Sequence, residues 1–260
     1  MQIMKKNRVS FKSIQYELRN IGGNPFIHIF GIGMPLLMAI IIPRAVTPSV
    51  HEQAIIKQIV TSIVLGLGTM VTMATMLIGY ASQSAEDMEK EIPMRMKLFG
   101  FKERYIIINR LIAEFIYMTF AYIIYFSVTM SVNKMITPTV TGMLIYMLAI
   151  YSLGIICFLF SHAVVNIVKK FGLTYMITMI IFFAVMILSG MMGIEVEKLP
   201  KGVQTISKML PTTYINGEFY HVWTGEHYNY GPMIQAYIFI IAITGILLFI
   251  MQYREKRNLH

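Results

Sequence analysis

Charge is scarce in this chain of 260 residues: Asp, Glu, Lys and Arg make up 13% of it. Soluble globular domains carry about 25%, so a water-soluble fold is excluded. A single cysteine, Cys157, rules out an intrachain disulfide and any metal site built from several thiolates, and argues against a redox role. No GxxxxGK[ST] phosphate loop occurs, so the polypeptide cannot bind ATP in the usual P-loop way. The six histidines, His28, His51, His162, His221, His227 and His260, include no pair at the i, i+4 spacing of an HExxH-type metal site. No catalytic constellation is left.

What is abundant is apolar surface, with 56% hydrophobic residues and a mean hydropathy of +0.63. A hydrocarbon core about 30 Å thick needs about 20 helical residues to cross it, and six apolar blocks meet that length. They cover residues 25–42, 58–80, 105–132, 140–168, 173–192 and 233–252. Barrel strands alternate lipid-facing with lumen-facing residues over about 10 positions, whereas these blocks are longer and continuously apolar. The expected fold class is an all-α integral membrane protein with six transmembrane helices. The first block follows basic residues but lacks a convincing small-residue cleavage site, so it reads as a retained helix rather than a signal peptide.

Six crossings place both ends on one side, and sixteen of the 22 Lys and Arg residues fall there. The positive-inside bias makes both termini cytoplasmic, with a tail at 253–260 in the cytoplasm of a cell whose plasma membrane the protein spans. The net charge of +9 is then mostly topological and calls for no nucleic-acid partner.

Four regions lie outside the blocks. In residues 1–24, Phe11, Ile14, Tyr16, Leu18 and Ile21 interleave with Lys12, Glu17 and Arg19, the pattern of an interfacial amphipathic helix ended by Gly22, Gly23 and Pro25; a solvated basic tail is the alternative. The loop 82–104 passes from Glu86, Asp87, Glu89 and Glu91 to Arg95 and Lys97 interleaved with Met94, Met96, Leu98, Phe99 and Phe101. So many large apolar side chains suit a short helix that docks into a partner's groove; an extension of two long helices into the headgroups is the alternative. The segment 193–232 carries Leu199, Val203, Ile206 and Leu210 at helical spacing between Pro200 and Pro211, then the aromatic run TTYINGEFYHVW. It reads as an external cap or re-entrant segment, with Tyr214, Phe219, Tyr220 and Trp223 at the membrane interface. Residues 43–57 form a plain external loop.

Within the blocks, Arg110 and Glu114 stand four residues apart and can pair on one helix face, a proton or substrate site being the alternative, and His162, near Ser161 and Asn166, suits an interhelical hydrogen bond or else a polar path. The second block carries Ser62, Gly66, Gly68, Thr69, Thr72, Thr75 and Gly79, small residues at small-xxx-small spacing that fit either bundle packing or a subunit interface or path. The 23 methionines suit an adaptable apolar surface, and compositional drift explains them equally well.

The stretch LSGMMGIEVEKLP, residues 188–200, begins with letters that also open an ATPase signature, but it sits at the end of an apolar block and does not continue that signature. With the blocks and loops placed, the chain resembles the permease, or membrane subunit, of type-2 ABC exporters. An L-S-G at the outer end of the fifth span, followed by Leu199-Pro200 and Leu210-Pro211, carries the resemblance together with the six spans and the loop helix. Two features depart from the family pattern: Met191 to Glu195 replace a proline common after the L-S-G, and the R-E-x-x-G pattern of the second loop is absent.

The resemblance implies two permeases, identical or homologous, seated on two cytoplasmic ABC ATPase subunits that bind ATP and magnesium, with no cofactor on this chain. Glu89, Glu91, Met94, Arg95, Lys97, Leu98, Phe99 and Phe101 would contact the ATPase as a coupling helix. Ser62, Thr69, Thr72, Thr75 and Ser189 would face the path or the dimer interface, between spans one, two and five. Leu199, Pro200, Leu210, Pro211 and Tyr214 would form the external cap. The expected function is ATP-driven export of a hydrophobic or amphipathic drug, peptide or lipid. An ion-coupled secondary transporter and an immunity or sensor subunit are the rivals. The Ile, Lys and Met content hints at a low-GC bacterium.

Overall fold

A computed structural model describes residues 9–48, 52–192 and 196–257. The basic residues Lys5, Lys6 and Arg8, the histidines His51 and His260, and 193–195 of the L-S-G stretch lie outside the described residues. Among those described there is no strand, and six helices are long and apolar enough to cross a membrane. The all-α membrane fold expected from composition is the fold observed.

A short helix α1 (Phe11–Gly22) leads into the spans α2 (Pro25–Val46) and α3 (Gln53–Glu89). A second short helix α4 (Ile92–Leu98) precedes α5 (Glu103–Val132), α6 (Val140–Val168) and α7 (Phe171–Leu188). Three short helices follow, α8 (Lys201–Ser207), α9 (Pro211–Gly217) and α10 (Phe219–Thr224), and then the last span, α11 (Gly231–Arg257). We call the side holding α1, α4 and the end of α11 the terminal side, and the side holding α8 to α10 the far side.

The second span runs well past the expected end of its apolar block. The residues after Tyr80, ASQSAEDME, contain neither Pro nor Gly, so the helical ladder continues to Glu89 and stops only where Glu91 takes a left-handed φ of 55° ahead of Pro93. The first third of the anticipated loop is therefore the projecting end of α3. This helix is also the centre of the bundle: 83% of its apolar window is buried, against 17% for α11. Its neighbours include α2, α5, α6, α7 and the short helices α9 and α10.

Central position explains the small and hydroxylated residues of α3. A Cβ on Gly79 would sit 2.6 Å from Ile27 Cγ1 of α2, and one on Gly68 would strike the Tyr146 side chain of α6. Thr69 donates to the Gly66 carbonyl, Thr75 to that of Val71, and Thr72 shares a hydrogen bond with the Tyr122 hydroxyl. All three threonines are fully buried within the single chain. These three pack within the bundle, whereas Ser62, nearer the start of the helix, is half-buried at a cleft beside α9.

The far-side half of the core is aromatic. Tyr122, Tyr125 and Tyr146 donate to the carbonyls of Gly68, Val64 and Leu65 at 2.7, 2.7 and 2.9 Å, which meets the need of a buried hydroxyl for a partner. Trp223 stacks on Phe126 at 5.8 Å between ring centroids, and its indole N–H donates to the Ile136 carbonyl. Phe219 and Trp223 were expected in the headgroup layer, but both are buried (0% and 1% exposed) because α10 folds against α6 and α3. Tyr214, half-buried, instead donates to the Lys208 carbonyl.

Two stretches adopt wider π-type turns, Ile29–Gly33 in α2 and Ala74–Gly79 in α3. They face each other, since a Cβ on Gly31 would meet Thr75 Cγ2 at 3.3 Å. Such turns recur at functional places in helices, and nothing in the hydropathy pattern marks them.

Candidate docking and coupling surface

Three elements converge on the terminal side. The apolar residues of α1 alternate at helical spacing, and Ile14, Leu18 and Ile21 pack along α5 against Ala113 and Tyr117. The opposite face leaves Phe11 and Tyr16 exposed. Helix α4 starts at the strained Glu91, carries Pro93 in its first turn, where the missing N–H costs nothing, and is closed by Gly100 at φ 84°.

No residue of α4 is buried. Met94 and Leu98 are 63% and 79% exposed, and Phe99, just after the helix, is 70% exposed. Single exposed apolar residues need no explanation, but three on one seven-residue helix and its cap form a patch. Of the neighbouring charges, Arg95 is exposed, and Lys97 pairs with Glu103 at 2.7 Å. Phe101 is half-buried beside Tyr105 and Met96, at a cleft of about 360 Å³ between α1, α4 and α5.

Glu89 and Glu91, grouped with α4 from the sequence, do other work. Glu89 Oε1 accepts the Phe171 N–H at 2.8 Å, satisfying one of the orphan donors at the start of α7 and placing negative charge at the positive end of that helix. Glu91 supplies the backbone kink between α3 and α4.

Beneath these helices lies a buried ionic cluster that the i, i+4 reading of Arg110 and Glu114 did not reveal. The Arg110 guanidinium reaches out to three partners: Asp87 Oδ2 at 2.7 Å, Ser84 Oγ at 3.1 Å and Glu17 Oε2 at 3.4 Å. It thereby joins α1, the projecting end of α3, and α5. Its side chain is 8% exposed, with Glu17 at 7% and Asp87 at 15%. Burial pushes the Glu17 carboxyl above the usual carboxylate range, an effect the Arg110 charge opposes without cancelling. Glu114 is fully buried and neither oxygen has a hydrogen-bond partner. Nearby, Tyr80 Oη and His162 Nδ1 lie 2.7 Å apart, and Asn166 donates to the His162 carbonyl, so His162 serves an interhelical bond as expected. The signal available in the sequence was the presence of Glu17, Asp87 and Arg110 at the same end of three elements; their pairing required the helix packing.

On the far side, the L-S-G stretch closes α7. Gly190 takes a φ of 74°, and the Met191 N–H bonds back to the Met186 carbonyl at 3.1 Å, the six-to-one closure of a Schellman turn. The turn is fastened to the cap: the Ser189 hydroxyl bonds that of Thr212, Asn216 donates to the Ser189 carbonyl at 2.8 Å, and Ser62 of α3 donates to the Asn216 carbonyl. Pro200 caps α8 and Pro211 opens α9, while the Leu199 carbonyl accepts from Gln204 and Leu210 lies in the turn between the two helices. Along the apolar stripe from Leu199 to Leu210, Leu199, Val203 and Leu210 are half-buried and Ile206 is 52% exposed.

Spans α2 and α7 lie side by side on α3, linked by ring contacts Phe26–Tyr175 at 5.0 Å and Phe30–Phe182 at 6.5 Å. They turn Leu37, Ile41, Ile180 and Ile187 outward.

No curated protein and no solved structure matches the chain. A family model described as ABC-2 type transporter matches residues 11–222, from the first residue of α1 into α10. That match covers more than half of the sequence and the elements just described, and the chain therefore belongs to the ABC-2 type transporter family, as a multi-pass permease subunit of a kind that implies a separate ATPase partner.

Proposed function

We propose that the protein is the permease of an ATP-driven exporter, with the terminal side in the cytoplasm and α4 as its coupling helix. The observation that carries this reading is the patch formed by Met94 and Leu98, on a helix with no buried residue that follows the end of α3, which Arg110 of α5 ties to α1. A groove on the ATPase would accept α4, with Phe99, Arg95 and Lys97 at its edge and the exposed face of α1 alongside. ATP and magnesium would be held by two copies of that partner.

A second permease, identical or homologous, would pair across the outward faces of α2 and α7, with the substrate path between the two. The apolar character of those faces favours a hydrophobic or amphipathic cargo: a drug, a peptide or a lipid. The chain does no bond chemistry in this scheme; ATP binding biases a two-state element and the permease follows.

The test is co-purification with an ATP-hydrolysing partner from native membranes, followed by Met94→Asp/Leu98→Asp. Loss of the partner and of ATP-dependent transport in vesicles is expected. Transport that survives the double substitution, or that runs on an ion gradient without ATP, would refute the proposal.

A further inference from the structure

Three carboxylates, Glu17, Asp87 and Glu114, surround one guanidinium, and only two of them use it. Glu114 lies one helical turn further along α5 than Arg110, about 6 Å deeper and on the same face. Both side chains are buried, and both Glu114 oxygens are without a hydrogen-bond partner. An ionisable group kept unpartnered inside a span is costly and is by default a functional candidate.

Arg110 is held unevenly by its two carboxylate partners. Its grip on Glu17 is loose, at 3.4 Å with no hydrogen bond from Nε, while its grip on Asp87 is a 2.7 Å bond. Both acceptors sit on elements that present surfaces to the partner: Glu17 on α1, and Asp87 on the projecting end of α3 that leads into α4. The guanidinium also lies 5.6 Å from the centre of the Tyr80 ring, which is two turns deeper on α3 than Asp87 and so flanks a route toward the depth of Glu114. A long flexible side chain pivoting about one Cα can serve either position.

We infer that Arg110 is the positioning residue of a two-position ionic switch: it holds α1 to the end of α3 through Glu17 and Asp87 in the state described, and transfers to Glu114 when the partner draws those elements apart. The inference rests on the proposed ATPase-driven function. Glu114 lowers the cost of the second state by giving the buried cation an acceptor there, which makes the coupling two-state rather than gradual.

The experiment uses the full permease–ATPase assembly in nanodiscs, spin-labelled at Lys12 on α1 and Lys90 at the end of α3, two exposed positions. In the wild type, ATP with vanadate is expected to add a longer distance between the labels. Glu114→Gln is expected to keep the short distance alone and to lower ATP hydrolysis about tenfold or more, while unfolding at a temperature no lower than wild type; a merely structural Glu114 would lower the unfolding temperature instead. Glu114→Asp, which keeps the charge, is expected to restore the longer distance.

A responsive wild type with an equally responsive Glu114→Gln overturns the switch alone. A wild type that does not respond to ATP overturns the ATPase reading and the switch with it. A structure of the vanadate-trapped wild type decides the matter without any variant: Arg110 in ion-pair contact with Glu114 supports the switch, and Arg110 still on Asp87 overturns it.

Discussion

Arg110→Met is the substitution that most directly tests the buried cluster, because it keeps the volume of the side chain and removes its charge. At an effective dielectric of ~20, the attraction of the guanidinium is about 6 kcal/mol for Asp87 at 2.7 Å and about 5 kcal/mol for Glu17 at 3.4 Å. Most of this is offset by the desolvation of three buried ions, so the intact cluster is close to neutral in net stability. Removing the cation alone leaves two carboxylates that are 7% and 15% exposed with nothing to compensate them, which costs about 3–5 kcal/mol. Protonation of Glu17, already favoured by its burial, brings the expected loss toward the lower end, about 3 kcal/mol. The assay is unfolding in detergent followed by fluorescence of Trp223, the single tryptophan and a buried one. The triple variant Arg110→Met/Glu17→Gln/Asp87→Asn, which removes all three charges, should recover to within about 1 kcal/mol of wild type. The reasoning is refuted if Arg110→Met is as stable as wild type, or if the triple variant is no better than the single one.

Other expectations follow from individual contacts. Gly66→Ala would place a Cβ 2.8 Å from the Asn216 Cα, so α9 must shift or Asn216 must release Ser189; a loss of about 1–3 kcal/mol is expected, measured by the same unfolding signal. Because the Glu17 carboxyl is raised by burial, the stability it contributes is full below the ordinary carboxylate pKa of about 4.3 and is lost as pH rises through the higher folded value. Glu17→Gln should flatten the stability curve across that window and be no less stable at neutral pH, and a Gln variant with the wild-type slope would contradict this. Glu89→Gln weakens the charge-assisted bond to the Phe171 N–H, so amide exchange should speed up across the first turn of α7 and nowhere else in that helix.

The sequence by itself determined the class of the molecule. Six apolar blocks of membrane length leave no other place for their backbone polar groups than internal helical bonds, and this holds whatever the tertiary arrangement. The amphipathic α1, the exposed apolar α4 and the turn at Leu188-Ser189-Gly190 were also legible, because each is written in a few consecutive residues: a periodic face, a Pro–Gly bracket, a glycine that tolerates positive φ. What only the tertiary structure decided is which helix lies in the middle and who partners whom. Hydropathy cannot distinguish the buried α3 from the peripheral α11, since lipid and protein interior are equally apolar. Nor could spacing along one helix show that Arg110 leaves Glu114, its neighbour at i+4, for Asp87 and Glu17, which lie 23 and 93 positions away in the chain. Charge pairing in a membrane protein is settled by where helices cross, and that depends on every side chain in the interface at once. The same packing drew Phe219 and Trp223 out of the expected headgroup layer and into the core, where both rings found Tyr146 of α6 and Trp223 also found Phe126 of α5, contacts that no local pattern announced.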